Sequence, residues 1–569
     1  MDTSGALERG SNGVARSLRP EPVVAGVLAL AVVFNLWVTR GQLFFSDEWS
    51  RLILDNGASF SELLRGHSGH LVILHSLLYK GLFAVFGADS YLPFRILHSL
   101  LVGLAGLLFF GLVRSETRPW PAVFATSLLV LLGSAWEVLS TPWGTIILLP
   151  VVLGLAALLL IRHGSAVADL LACLLLIGAV SAQSTGLAFL AGVACALLLG
   201  APGTRVRRSW IFLVPLAIYA AWFVWSRSTG VGDAIQDPVH AGNVIQVPSA
   251  MASVAAAGLA AGTGFFGESR IGEQSFNLTA GYLLLGFAVL GVAWRGRRQP
   301  PPGGAAWVGA ALALAFWGLV AFVVEPPFRP PEAARYLFPS VLFLLLIALE
   351  LARGIPLGRA AGAAAGAAFA VALVPNAANL VRQGNGLRTI SADERVALGT
   401  LELMRGEIPP ERLPGLSTIE GPAITFADPG QFTASQYFAA AERYGSPATA
   451  PDRLIGATDF QRLAVDRVLL DRGEIGVLPV PKRVSARAAG CRRPGSGGEI
   501  ELPDGPILLV PAGRGAVTIM ARRFGATFQS PAGGPWEGGV AVAAPFTPGT
   551  PGWRLRVGPG VLACAAPGA

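Results

Sequence analysis

Ser46-Asp47-Glu48-Trp49 sets two carboxylates side by side directly after the first apolar run of the chain. A carboxylate at a membrane surface costs desolvation energy unless it is paired or used. As a base, it could take the proton from an attacking hydroxyl or amide, help that is typically worth about 10²–10⁴ in rate. Asp47 fits that role by position, and Glu48 could tune it or bind an acceptor or a metal. The plain alternative is a pair of solvated loop acids. Trp49 suits an interface anchor as well as a stacking platform.

A phosphate leaving group would call for a cation. Arg335 opens a late apolar run, and the planar guanidinium fork matches phosphate better than a lysine's point charge. Arg95 and His98 stand three residues apart, hence on one helical face, and Arg270 lies between Glu268 and Glu273. Each could instead snorkel or form a local ion pair. His67 and His70 could supply two metal ligands, although two histidines without a fixed carboxylate partner are a weak metal signal. A divalent ion therefore stays open, and lining a polar cavity is the favoured role. Glu137, between Trp136 and Trp143, would join that lining. Glu325-Pro-Pro-Phe-Arg-Pro-Pro-Glu332 reads as a proline-stiffened rim.

These residues sit in a chain of 569 residues, 53% hydrophobic and 14% charged. A soluble domain carries about 25% charge, so most of the chain has lipid as its solvent. The net charge of +8 is almost all arginine. No arginine-rich run with interleaved aromatics points to nucleic acid. Runs long enough to cross a bilayer fall at about 22–39, 94–113, 119–136, 144–161, 166–181, 186–201, 209–226, 278–294, 304–324, 335–352 and 357–375. The expectation is eleven spans.

With the N-terminus inside, every predicted inside segment holds arginine: Arg9/Arg16/Arg19, Arg114/Arg118, Arg162, Arg205/Arg207/Arg208, Arg295/Arg297/Arg298 and Arg353/Arg359. The short turns 137–143 and 181–186 hold none, in line with the positive-inside rule. The first span lacks a small-residue cleavage site and reads as retained. Two more apolar stretches, 70–86 and 250–266, must then stay outside; the first suits an amphipathic helix in the interface.

The expected organisation is a cytoplasmic tail 1–21, a transmembrane domain 22–375 with a first external loop 40–93, a helical and mixed external segment 376–473, and a β-rich external domain 474–569. Helical stretches are expected near 391–405, 430–444 and 458–471. Beyond 474, short strands broken by Gly and Pro suggest a small β-sandwich. Cys491 and Cys564 bracket that region and could bond in an oxidising compartment, or stay as thiols. Cys173 and Cys195 read as packing residues inside spans.

A first span, then Asp47-Glu48, then a loop with interfacial helices, many spans and an external domain resembles the GT-C class of membrane glycosyltransferases. Its relatives include protein O-mannosyltransferases and the lipid A aminoarabinose transferase. Ala334-Arg335-Tyr336-Leu337-Phe338-Pro339 resembles the Arg-Tyr start of a span in bacterial members. The likeness covers about 20–375, and the C-terminal region adds no motif to it. It implies a bacterial plasma-membrane enzyme with a cytoplasmic N-terminus and an external C-terminal domain. Such an enzyme moves a sugar from a polyprenyl-phosphate carrier to an envelope glycan, lipid or protein by a single inverting displacement. Asp47 would be the base, Arg335 would hold the phosphate, and Tyr336 and the histidines would line the cavity. Two other readings are a lipid-linked sugar transporter or flippase, and a non-catalytic glycan-binding scaffold.

Overall fold

The structure, a computed structural model, describes residues 19–55, 57–67, 69–114, 119–228, 243–266, 278–298, 303–324, 329–353, 359–405, 433–471, 473–480, 491–513, 515–531, 533–545 and 547–565. Most of them are helical, and a small-sheet region closes the chain. Ten helices among the described residues are long and apolar enough to cross a membrane. The chain is a multi-pass membrane protein.

The set of ten differs from the expected eleven at three places. The two runs at 166–201 form Ala166–Ala182 and Thr185–Leu198, of 17 and 14 residues, short of the about 20 that a bilayer needs. The polar Gln183-Ser184 pair ends one helix and starts the next. The run 250–266, expected to stay outside, belongs to a helix that starts earlier, at Asn243, and so reaches spanning length. The stretch 70–86, expected at the interface, forms the helix Ile73–Phe86. The apolar pattern was expected to end at Pro375, yet one helix runs from Arg359 to Leu403 through that proline.

The chain folds into two compact units. The first comprises Met1–Arg40, Ala58–Leu78 and Leu92–Asn385; the second comprises Gly41–Gly57, Tyr79–Tyr91 and Gly386–Ala569. The C-terminal unit therefore takes up two pieces of the loop that follows the first span.

In the first unit, helices approach closely where a small residue faces a large one, the usual way spans associate without a hydrophobic drive between them. Gly154 is such a point, because an added Cβ would run into the ring of Phe189. Arg114, Arg162, Arg208, Arg295 and Arg353 gather at one end. Arg114 pairs with Glu21 at 3.0 Å, and Arg162 donates to Leu112 O at 3.1 Å. Arg208 holds Asp169 and Ile161 O, while Arg295 donates to Arg353 O.

Among its described residues, the second unit joins helices Ala434–Tyr444 and Asp459–Asp471 to nine short strands. These are β1 (Gly476–Pro479), β2 (Glu499–Glu501), β3 (Ile507–Pro511), β4 (Ala516–Val517), β5 (Ile519–Arg522), β6 (Trp536–Glu537), β7 (Val540–Ala543), β8 (Arg554–Val557) and β9 (Val561–Ala565). They form antiparallel sheets in the orders β1-β7-β3-β9, β2-β8-β5 and β4-β6. β3 lies centrally, and its residues Ile507 to Val510 are buried. Asp466 ties a helix to this region by accepting backbone N–H groups of Arg523, Phe524 and Gly525 at 2.8–2.9 Å. Arg523 pairs with buried Glu474 at 2.8 Å. Cys491 and Cys564 form a disulfide.

Candidate functional site

The acidic turn belongs to the second unit. Ser46 has φ 52°, the one left-handed non-glycine residue among those described. A serine held there costs on the order of 1–3 kcal/mol, and such strain tends to sit at functional sites. Asp47 follows at the N-terminal boundary of the short helix Glu48–Ile53, where the helix dipole favours a negative charge. Asp47 is half-buried, whereas its neighbour Glu48 is fully buried. The two adjacent acids thus have different environments.

Glu48 is clamped from three directions. Tyr79 donates to Oε1 at 2.6 Å, Tyr91 donates to Oε2 at 2.5 Å, and the backbone N–H of Phe45 donates to Oε2 at 2.8 Å. Phe44 packs its ring 4.7 Å from Tyr91 and 5.4 Å from Phe83, which keeps water from the pocket. Burial lifts the Glu48 carboxyl to about 7. The two tyrosines and the Phe45 N–H pull it back toward the usual range, and Asp47 pushes it up further. Three donors, one on Oε1 and two on Oε2, leave the buried carboxyl little room to exchange protons with a substrate, so Glu48 fixes the turn.

Trp49 is fully buried, edge-on to Phe44 at 5.6 Å, so it packs the turn and offers no open face. Arg395 holds the strand leading into the turn, donating to Gly41 O and Gln42 O at 2.9 and 2.8 Å. Next to it, Glu394 is 1% exposed and close enough to Glu48 to interact with it electrostatically. Tyr79, Tyr91, Glu394 and Arg395 were not found from sequence. No local spacing announces them, since they come from segments tens or hundreds of residues away.

The remaining candidates belong to the first unit, apart from Arg270, which lies outside the described residues. Arg335, at the start of the helix Ala334–Leu351, lies 3.5 Å from Glu137 and 5.4 Å from the ring of Tyr336. Both members of the pair are partly exposed. Glu137 sits in the short helix Trp136–Leu139 at the end of the span Pro119–Leu139, just after the turn at Gly133–Ala135. That turn is held by amides: Asn376 Oδ1 accepts from Ser134 N at 3.0 Å, Asn379 donates to Gly133 O at 2.8 Å, and Asn35 donates to Leu139 O at 2.5 Å. Gly133 is required here, because a Cβ would collide with Asn376 O.

Arg95 reaches the end of the first span, donating to Leu36 O and to Thr39 Oγ1. His98 is fully buried, with Nε2 3.5 Å from Leu139 O. His67 and His70 form a tight antiparallel bridge, each N–H donating to the other's carbonyl at 2.9 Å. His70 Nδ1 meets Ser184 Oγ at 2.7 Å, and Ser184 meets the Tyr219 hydroxyl at 3.2 Å. Among the described residues, no group of three or more His, Cys, Asp or Glu could hold a metal ion.

No protein-family model and no curated protein matches this chain.

Proposed function

We propose that the chain is a membrane glycosyltransferase. It takes a sugar from a polyprenyl-phosphate carrier and delivers it to an envelope glycan, lipid or protein on the extracytoplasmic face. The observation that carries the reading is the strained turn Ser46-Asp47-Glu48, in which a clamped, buried Glu48 holds a half-buried Asp47 at a helix start. A turn that costs energy to hold a carboxylate in place is what a positioned base requires.

In the proposed step, Asp47 takes the proton of the acceptor O–H or N–H. The acceptor's electron pair forms the new bond to the anomeric carbon, and the carbon–oxygen bond to the phosphate breaks on the opposite face. The electron pair leaves with the lipid phosphate, whose charge Arg335 is proposed to meet. The anomeric configuration inverts. The gathering of arginines at one end of the first unit supports a cytoplasmic N-terminus.

The test is mass spectrometry of envelope glycans and polyprenyl-linked sugars in a deletion strain. A missing glycosylated product with accumulated donor supports the transferase. An unchanged envelope with unchanged donor contradicts it.

A further inference from the structure

At the arginine-rich end of the first unit, five helices leave a cavity of ≈ 220 Å³. It lies between the ends of the helices Leu92–Arg114, Thr145–Leu160, Thr185–Leu198 and Ala334–Leu351 and the start of Gly304–Phe322. Its walls are aliphatic, with Leu112, Leu158, Val308 and Leu346 among them. Two charged side chains line it as well, Arg162 and Glu350.

Glu350 is 4% exposed. One carboxyl oxygen stands 3.5 Å from Arg353; the other, Oε2, has no hydrogen-bond partner among the described residues. A buried carboxylate oxygen left in this state is expensive. In a span it marks a functional position unless a partner is found. The close approach of Gly303 sets the carboxyl beside the start of the next helix, where a Cβ would strike Oε1. Arg162 is exposed at the same cavity and anchored by its bond to Leu112 O.

The cavity therefore offers three features to a ligand: an apolar body, an acceptor on Glu350 that lacks a donor, and the guanidinium of Arg162 at its lining. Its volume is below the about 300–1,000 Å³ of sites for compact organic ligands, so it admits a segment of one hydrocarbon chain. A membrane amphiphile whose head carries an ammonium next to a phosphodiester meets all three. We propose that this cavity binds an aminophospholipid, with an acyl chain between the aliphatic walls, its ammonium on Glu350 and its phosphate on Arg162. The site is separate from the acidic turn, and it does not depend on the transferase reading.

The test uses the full chain, purified in detergent and titrated with dioleoyl phosphatidylethanolamine or dioleoyl phosphatidylglycerol, with bound lipid read by native mass spectrometry. The wild type should hold the ethanolamine lipid about tenfold more tightly than the glycerol lipid. Glu350→Gln should remove that preference while leaving residual binding of both. Leu346→Trp, which fills the cavity, should abolish retention of both, and Val308→Trp serves if that variant does not fold. Equal retention of the two lipids by the wild type would overturn the proposal, as would an unchanged preference in folded Glu350→Gln. Free phosphoethanolamine binding as tightly as the lipid would also overturn it, since the apolar cavity would then contribute nothing.

Discussion

Tyr91 sets its hydroxyl 2.5 Å from Glu48 Oε2, across 43 residues of chain. With Tyr79 on the other oxygen, this bond turns an acid next to a strained serine into a fixed point. The consequence for Asp47 is geometric: the turn that carries it is fixed, and the residue itself is half-buried.

The Glu48 clamp has a pH signature. Its carboxyl sits near 7 in the folded chain against an ordinary 4.5, so the folded state binds the proton more tightly. Its contribution is fully present below pH 4.5 and is lost as pH rises through about 7, by on the order of 3 kcal/mol. Unfolding temperature in detergent should fall across that window in the wild type. Glu48→Gln should flatten the slope. A wild-type unfolding temperature that rises between pH 5 and 7.5, and does so equally in Glu48→Gln, would contradict the clamp.

The tyrosines can be removed singly. Tyr79→Phe and Tyr91→Phe each leave a buried carboxyl oxygen short of a donor, a loss of about 1–3 kcal/mol. Chemical denaturation should show both variants destabilised. No change in either would mean that the hydroxyls do not hold Glu48.

Much of the helical plan is legible in the sequence, because apolar runs of spanning length have few other uses in a folded chain. The long helix Arg359–Leu403 was hidden for a specific reason. Ala372, Asn376, Asn379, Leu380, Gln383 and Gly384 are buried at helical spacing, but the stripe is half polar, so hydropathy stops where the helix does not. Asn376 and Asn379 spend their amides on the turn at 133–134, which carries the helix past Pro375. Asp47 could be singled out from its place in the chain. The difference between it and Glu48 could not, because it is made by Tyr79, Tyr91 and Phe44 closing over only one of the two acids.

The disulfide should matter to the second unit. Cys491 and Cys564 close a loop across a separation of 73 residues, and losing such a link costs about 4 kcal/mol. The double Ser variant should be cut faster by protease within 491–565, and the wild type should behave likewise once reduced. Equal digestion of the reduced and oxidised protein would show that the bond adds no stability.

Arg335 is tested by shape at constant charge. Arg335→Lys keeps the cation and loses the fork that meets a phosphate on two sides. Transfer should drop at least about tenfold, with most of the loss in donor KM, and the protein should still fold. Transfer at the wild-type level would remove Arg335 from the phosphate site.

Asp47→Asn is the most direct test of the central claim. The substitution is nearly isosteric and leaves Glu48, Tyr79 and Tyr91 in place, but amide nitrogen cannot act as a base. The purified variant, given a polyprenyl-phosphate sugar and acceptor, should lose about 10²-fold or more of the proposed transfer rate, while its unfolding temperature and donor binding stay at wild-type values. Glu48→Gln should lose less. Near-normal transfer by folded Asp47→Asn would contradict the assignment of Asp47 as the base.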